Sequence, residues 1–125
     1  VHMLDNLDSF DPPLRAVNNS YGHAGGSEYD AGGVASCLIK DIVDAGVVMA
    51  FAAGNDGGDG SNDMTSSACK DPTPGVICVA SYNELGTGDR NAPLSGFSSR
   101  GLAGDPVNYP DVAAPGDLIT STCFQ

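Results

Sequence analysis

The run Val47 to Ala53, seven apolar residues held between Gly46 and Gly54, constrains this chain most. An uninterrupted apolar run of this length, bounded by turn residues, is the pattern of a strand buried on both faces, as in a parallel sheet. It delivers a single amide, Asn55, just past its carboxyl end, where open parallel sheets place their functional sites. A second stretch, Pro110 to Gly116, carries comparable information.

The segments around that run supply the rest of a βαβ unit. Arg15 to Ser20 reads as a short strand, followed by a glycine-bearing loop from Gly22 to Gly33 in which Ser27 and Asp30 are candidate helix N-caps. Val34, Leu38 and Ile42, with Ala35 and Ile39 beside them, form one apolar helical stripe. Gly46 then occupies the place where a helix ends in a left-handed residue. Strand, helix and strand joined this tightly require parallel pairing and a right-handed crossover. Val76 to Ala80 should join the same sheet, and Leu94 to Ser99, Val112 to Ala114 and Leu118 to Thr122 are further extended candidates. The expected fold class is α/β, a mainly parallel sheet of three or four strands with a covering helix.

A chain of 125 residues with 41% hydrophobic content fits one small domain. No run approaches the roughly 18 apolar residues of a membrane span. Residues 1–14 read as a poorly defined N-terminal segment or cloning remnant, and residues 15–125 as the folded part. The net charge of −11 disfavours nucleic acid and anionic membrane as partners. The same acidity is also what solubility or a salt-rich environment would select.

Four cysteines, at 37, 69, 78 and 123, are too far apart for paired zinc-ligand clusters. An even count in a loop-rich chain is compatible with disulfides and an oxidising compartment. Cys69 with Cys78 would close a loop containing Pro72, Pro74 and Gly75. Free thiols packed as small apolar residues are the alternative for Cys37 and Cys78.

Five segments occur in the order seen in subtilisin-like serine proteases: Val17 to Gly22, Ala52 to Asn55, Pro74 to Ala80, Phe97 to Gly101 and Tyr109 to Gly116. Together they cover about Val17 to Cys123, and on them the chain resembles the part of that family between the catalytic His and the catalytic Ser. The resemblance implies a partial subtilisin-like three-layer domain and peptide-bond hydrolysis by the parent enzyme. None of the family's three triad motifs is present, so no triad residue can be carried over, and the isolated chain is expected to be inactive. His2 lies too close to the Val17 segment to be the family's His, and neither Ser98 nor Ser99 sits in a nucleophile motif.

Within the resemblance Asn55 is the catalytic candidate, a fixed amide donor for the oxyanion of acyl transfer. Taken alone, Asn55 to Gly58 would be ordinary turn chemistry after a strand. Ser20, Tyr21 and Gly22 resemble the edge that pairs with an extended substrate, faced by Ala53 and Gly54 across the primary specificity pocket. His23 reads as a solvated loop residue. Asp56, Asp59 and Asp63 read as a solvated acidic loop whose spacing matches no EF-hand. No cofactor is expected and no metal ligand is assigned, although the parent family can bind calcium.

The expected partners are an extended peptide or protein substrate and the remainder of the catalytic domain, with self-association through the exposed edge at Arg15 to Ser20 a further expectation. Family resemblance and cysteine usage point to a secreted, extracellular protein. The competing reading is a noncatalytic peptide-binding or assembly module using the same edge. A Cys-His hydrolase built on Cys37 or Cys69 with His23 lacks any local signature.

Overall fold

In a computed structural model, which describes residues 2–88, 90–105 and 109–120, the chain forms a four-stranded sheet with helices packed on one side. The elements follow as α1 (His2–Asp5), a 3-10 turn (Leu7–Ser9), β1 (Ala16–Asn19), α2 (Val34–Asp44), β2 (Val48–Ala52), a second 3-10 turn (Ser67–Lys70), β3 (Val76–Tyr82) and β4 (Val112–Pro115). Spatial order equals chain order, and all three strand pairs are parallel.

The α2-to-β2 junction shows how sequence sets this geometry. Gly46, at φ +90°, ends the helix, its N–H bonding to the Val43 carbonyl and the Val47 N–H to the Ile42 carbonyl. These are the two bonds of a Schellman motif, and they reverse the chain directly into β2. Met49 and Phe51 then point to the helix side and are buried with Val47, Ile42 and Leu7, while Ile39, Val43 and Val76 pack around them. The opposite face of the sheet carries Val48 and Val112, both exposed, and the half-buried Ala50, Ile77 and Val79.

Several local expectations are corrected. Leu94 to Ser99 is not a strand: Leu94 makes one isolated antiparallel bridge to Tyr82, and residues 96–98 turn. Residues 118–120 are not extended into a strand, and 121 and 122, like Cys123, lie outside the described residues. Neither Ser27 nor Asp30 caps α2, whose N-cap position is Gly33. Ser27 instead bonds the Ala24 carbonyl, and Asp30 accepts from the Gly32 N–H in a turn of its own. The helix buries Ile42 with Ile39 and Val43 beside it, whereas Val34 is exposed. The opening segment, which has no periodicity, nonetheless places Leu7 in the core with Met3 and Leu4 against it.

Candidate active site

Because β1 and β2 run parallel and pair Asn19 with Phe51, their carboxyl ends leave the sheet side by side. Ser20, Tyr21 and Gly22 continue β1, and Gly54 and Asn55 continue β2; together they line one cleft of about 210 Å³. His23, Ala24, Ala52, Asp56 and Ser66 complete its walls. A larger hollow of about 460 Å³ lies beside β4, between Tyr82, Leu94 and Pro115. It contains none of the candidate residues.

The Asn55 side chain is exposed and, among the described residues, has no hydrogen-bond partner. Its amide is therefore free to donate to an incoming atom. The backbone around it is fixed: the Ser99 N–H bonds the Gly54 carbonyl at 3.0 Å, and the Asp56 N–H bonds Ser99 Oγ at 3.0 Å. Gly54 sits at φ +116°, and a Cβ there would lie 2.7 Å from Ser99 Oγ. Only glycine suits both the left-handed backbone and the close approach.

The β1 side of the cleft is tied to the β2 side. Asp56 Oδ2 accepts from the Gly25 N–H at 2.7 Å, and the Gly26 N–H bonds the Thr65 carbonyl at 3.1 Å. Beneath the cleft, the buried Asn19 reaches the Ala50 carbonyl at 3.3 Å. Tyr21 is 72% exposed, so its ring is an open wall and not part of the core.

Ala53 does not line the cleft. Strand alternation turns its side chain to the helix side, where it is buried against Cys69 and Cys78; the cleft instead receives Ala52. Cys69 and Cys78 form a disulfide that ties the second 3-10 turn to β3. Cys37 is a free, exposed thiol on α2.

Ser66, which begins that turn, is a cleft residue with no sequence signal pointing to it. Its N–H bonds the Ala53 carbonyl at 2.9 Å and its hydroxyl the Ala52 carbonyl at 3.2 Å. Its Cβ would stand 3.2 Å from any Cβ placed at Gly22. The clue available was indirect: a cysteine three residues on, bridged back to the sheet.

Asp59 and Asp63 serve the loop's own turns, whereas Asp56 reaches across the cleft. Asp59 accepts from the Ser61 N–H, and Asp63 from the N–H and hydroxyl of Thr65. Burial pushes the Asp63 carboxyl up, but the Thr65 hydrogen bonds and the Lys70 ammonium, 3.3 Å away, outweigh it and hold the group below the ordinary carboxylate value. Among the described residues no three His, Cys, Asp or Glu side chains converge as a metal site would require.

The chain thus presents a parallel α/β sheet with a cleft at the carboxyl ends of two adjoining strands and an unpaired amide in it. The subtilase family model (Peptidase S8) matches residues 6–124, and the chain belongs to that family. Among solved structures it is similar to an S41 psychrophilic protease, at 27% identity and a TM-score of 0.56. It also shares its fold with sphericase, at 22% identity and a TM-score of 0.56. Each match covers 92% of this chain but only 36% of the other protein's length. No curated protein matches the chain.

Proposed function

We propose that this chain supplies the oxyanion donor and the substrate-binding edge of a subtilisin-like serine endopeptidase. The observation that carries the reading is the exposed, unpartnered Asn55 amide sharing one cleft with Ser20, Tyr21 and Gly22. In peptide-bond hydrolysis, attack by a serine hydroxyl moves the carbonyl electron pair onto oxygen, and a donor already in position stabilises that charge more than the ground state. An extended substrate laid along residues 20–22 would present its carbonyl near Asn55.

The nucleophile and its base are not among the motifs of this sequence, so the rest of a catalytic domain is the natural partner. The second face of the sheet, which no helix covers among the described residues, supports that reading: parallel sheets are normally covered on both sides, and here Val48 and Val112 remain 39% and 51% exposed. The buried Cys69–Cys78 bridge supports a secreted, oxidising setting. No helix among the described residues is long and apolar enough to cross a membrane.

The purified 125-residue chain is expected to leave a generic chromogenic peptide uncut. Steady cleavage abolished by a serine-directed inhibitor would overturn this assignment of roles. In a catalytic domain carrying this segment, Asn55→Ala is expected to lower kcat by roughly 100- to 1000-fold with KM little changed. That magnitude is the loss known for the equivalent change in another subtilase, carried over to this chain. A fall in kcat below about threefold would remove Asn55 from the oxyanion site.

A further inference from the structure

We propose that Ser99 is the positioning residue for Asn55, a role that rests on the oxyanion reading above. Ser99 is fully buried, far from any nucleophile motif, and yet it touches the main chain on both sides of Asn55. Its N–H donates to the Gly54 carbonyl at 3.0 Å, and its hydroxyl oxygen accepts from the Asp56 N–H at 3.0 Å. The peptide units flanking Asn55 are thereby pinned to one buried residue, while the Asn55 side chain itself stays free for a ligand.

Two neighbouring bonds extend the clamp. The Gly57 N–H bonds the Phe97 carbonyl at 2.9 Å, and the Arg100 N–H bonds the Gly57 carbonyl at 2.9 Å. The segment 97–100 therefore runs alongside residues 54–57 and reads their backbone. The fit depends on Gly54, because any side chain there would occupy the place of the Ser99 hydroxyl. A transition-state donor acts through its preset position, and an amide on an exposed turn holds none unless the turn is held.

Ser98 provides the matched control. Its hydroxyl also accepts a main-chain N–H, from Ser81 at 2.9 Å, but on β3 and away from Asn55. It is equally buried. A general structural role for buried serines predicts the same response from both positions; a positioning role predicts a response at Asn55 from one.

The test is NMR on the 125-residue chain, following amide hydrogen exchange at Asp56 and backbone order at residues 54–56. In Ser99→Ala the Asp56 amide is expected to exchange roughly tenfold faster, with lower order at Asn55, because its acceptor is gone. Ser98→Ala should leave both readouts as in the parent. Unchanged exchange in Ser99→Ala, or equal acceleration in the two variants, overturns the proposal. Should Ser99→Ala fail to fold, the parent alone decides: an exposed Asp56 whose amide is not slowed at least about tenfold against its intrinsic rate is not held by Ser99. Asn55→Ala leaves both clamp bonds in place, so failure of the oxyanion role would not alter these results.

Discussion

Breaking the Cys69–Cys78 bridge perturbs the fold and the cleft wall together. The two cysteines are nine positions apart, and both are buried, at 1% and 0% exposure. A closed loop of about ten residues removes unfolded-chain entropy equivalent to roughly 2.7 kcal/mol at 25 °C. For 125 residues, an unfolding entropy of about 2.1 cal/mol/K per residue gives about 0.26 kcal/mol/K in total, so the loss corresponds to a Tm about 10 °C lower. The assay is thermal unfolding followed by circular dichroism, with Cys37 and Cys123 replaced by Ser so that no other thiol can exchange. Samples are unfolded and refolded with or without a thiol reductant. The reduced form is expected to melt lower by that amount and to lose protection at the Ser66 amide, which hangs from the bridged turn. A difference under about 3 °C would refute the reasoning, since the bridge would then be constraining a loop that is already ordered when unfolded.

Two further outcomes are expected. Asp63 has a folded pKa below its ordinary value, so its contribution is complete at neutral pH and fades as pH falls from about 4 through the lower folded value. Asp63→Asn should flatten the acid limb of the urea midpoint against pH below about 4, and an unchanged limb would show that Lys70 and Thr65 do not stabilise the charged form. Because β1 is an edge strand, the chain is expected to self-associate at high concentration and moderate salt, where screening weakens the repulsion of its −11 charge. By alternation from the Arg15 carbonyl, which bonds the Val48 N–H, Asn18 turns its own N–H outward; Asn18→Pro should abolish the association. Light scattering that reports a strict monomer before any substitution would refute it.

Sheet and helix were legible where local chemistry decides the conformation. Gly46 ends α2 because the left-handed position needs glycine, and Val76 to Ala80 is bracketed by Pro74-Gly75 before and polar residues after. Leu94 to Ser99 misleads for a physical reason: its apolar members, Leu94 and Phe97, are about 40% exposed, whereas Ser95, Ser98 and Ser99 are buried. The Ser98 and Ser99 hydroxyls accept main-chain N–H groups, and the Ser95 hydroxyl pairs with that of Ser81, bonds that hydrophobic periodicity cannot register. Ala53 escaped for the opposite reason. In a run where every residue is apolar, alternation carries no sign, so the sequence does not say which of Ala52 and Ala53 faces the cleft.

The cleft itself depends on register more than on any motif. Asn55 continues β2, whereas Ser66 and Ser99 arrive from later in the chain and bond successive main-chain atoms at its end, Ser66 the Ala52 and Ala53 carbonyls and Ser99 the Gly54 carbonyl and the Asp56 N–H. An Asn after an apolar strand is detectable from sequence because its position is set by its own strand. A serine that arrives through a later loop is not, since its partners are carbonyls and N–H groups whose identity has no side-chain signature. The place of Asn55 at the end of β2 was therefore readable in advance, whereas the serines that bond the backbone beside it were not. The same reasoning applies to Asp56, which looked like one carboxylate of a solvated loop and instead bonds the Gly25 N–H across the cleft. Its exposed position and its acidic neighbours concealed a crosslink between the two strand ends.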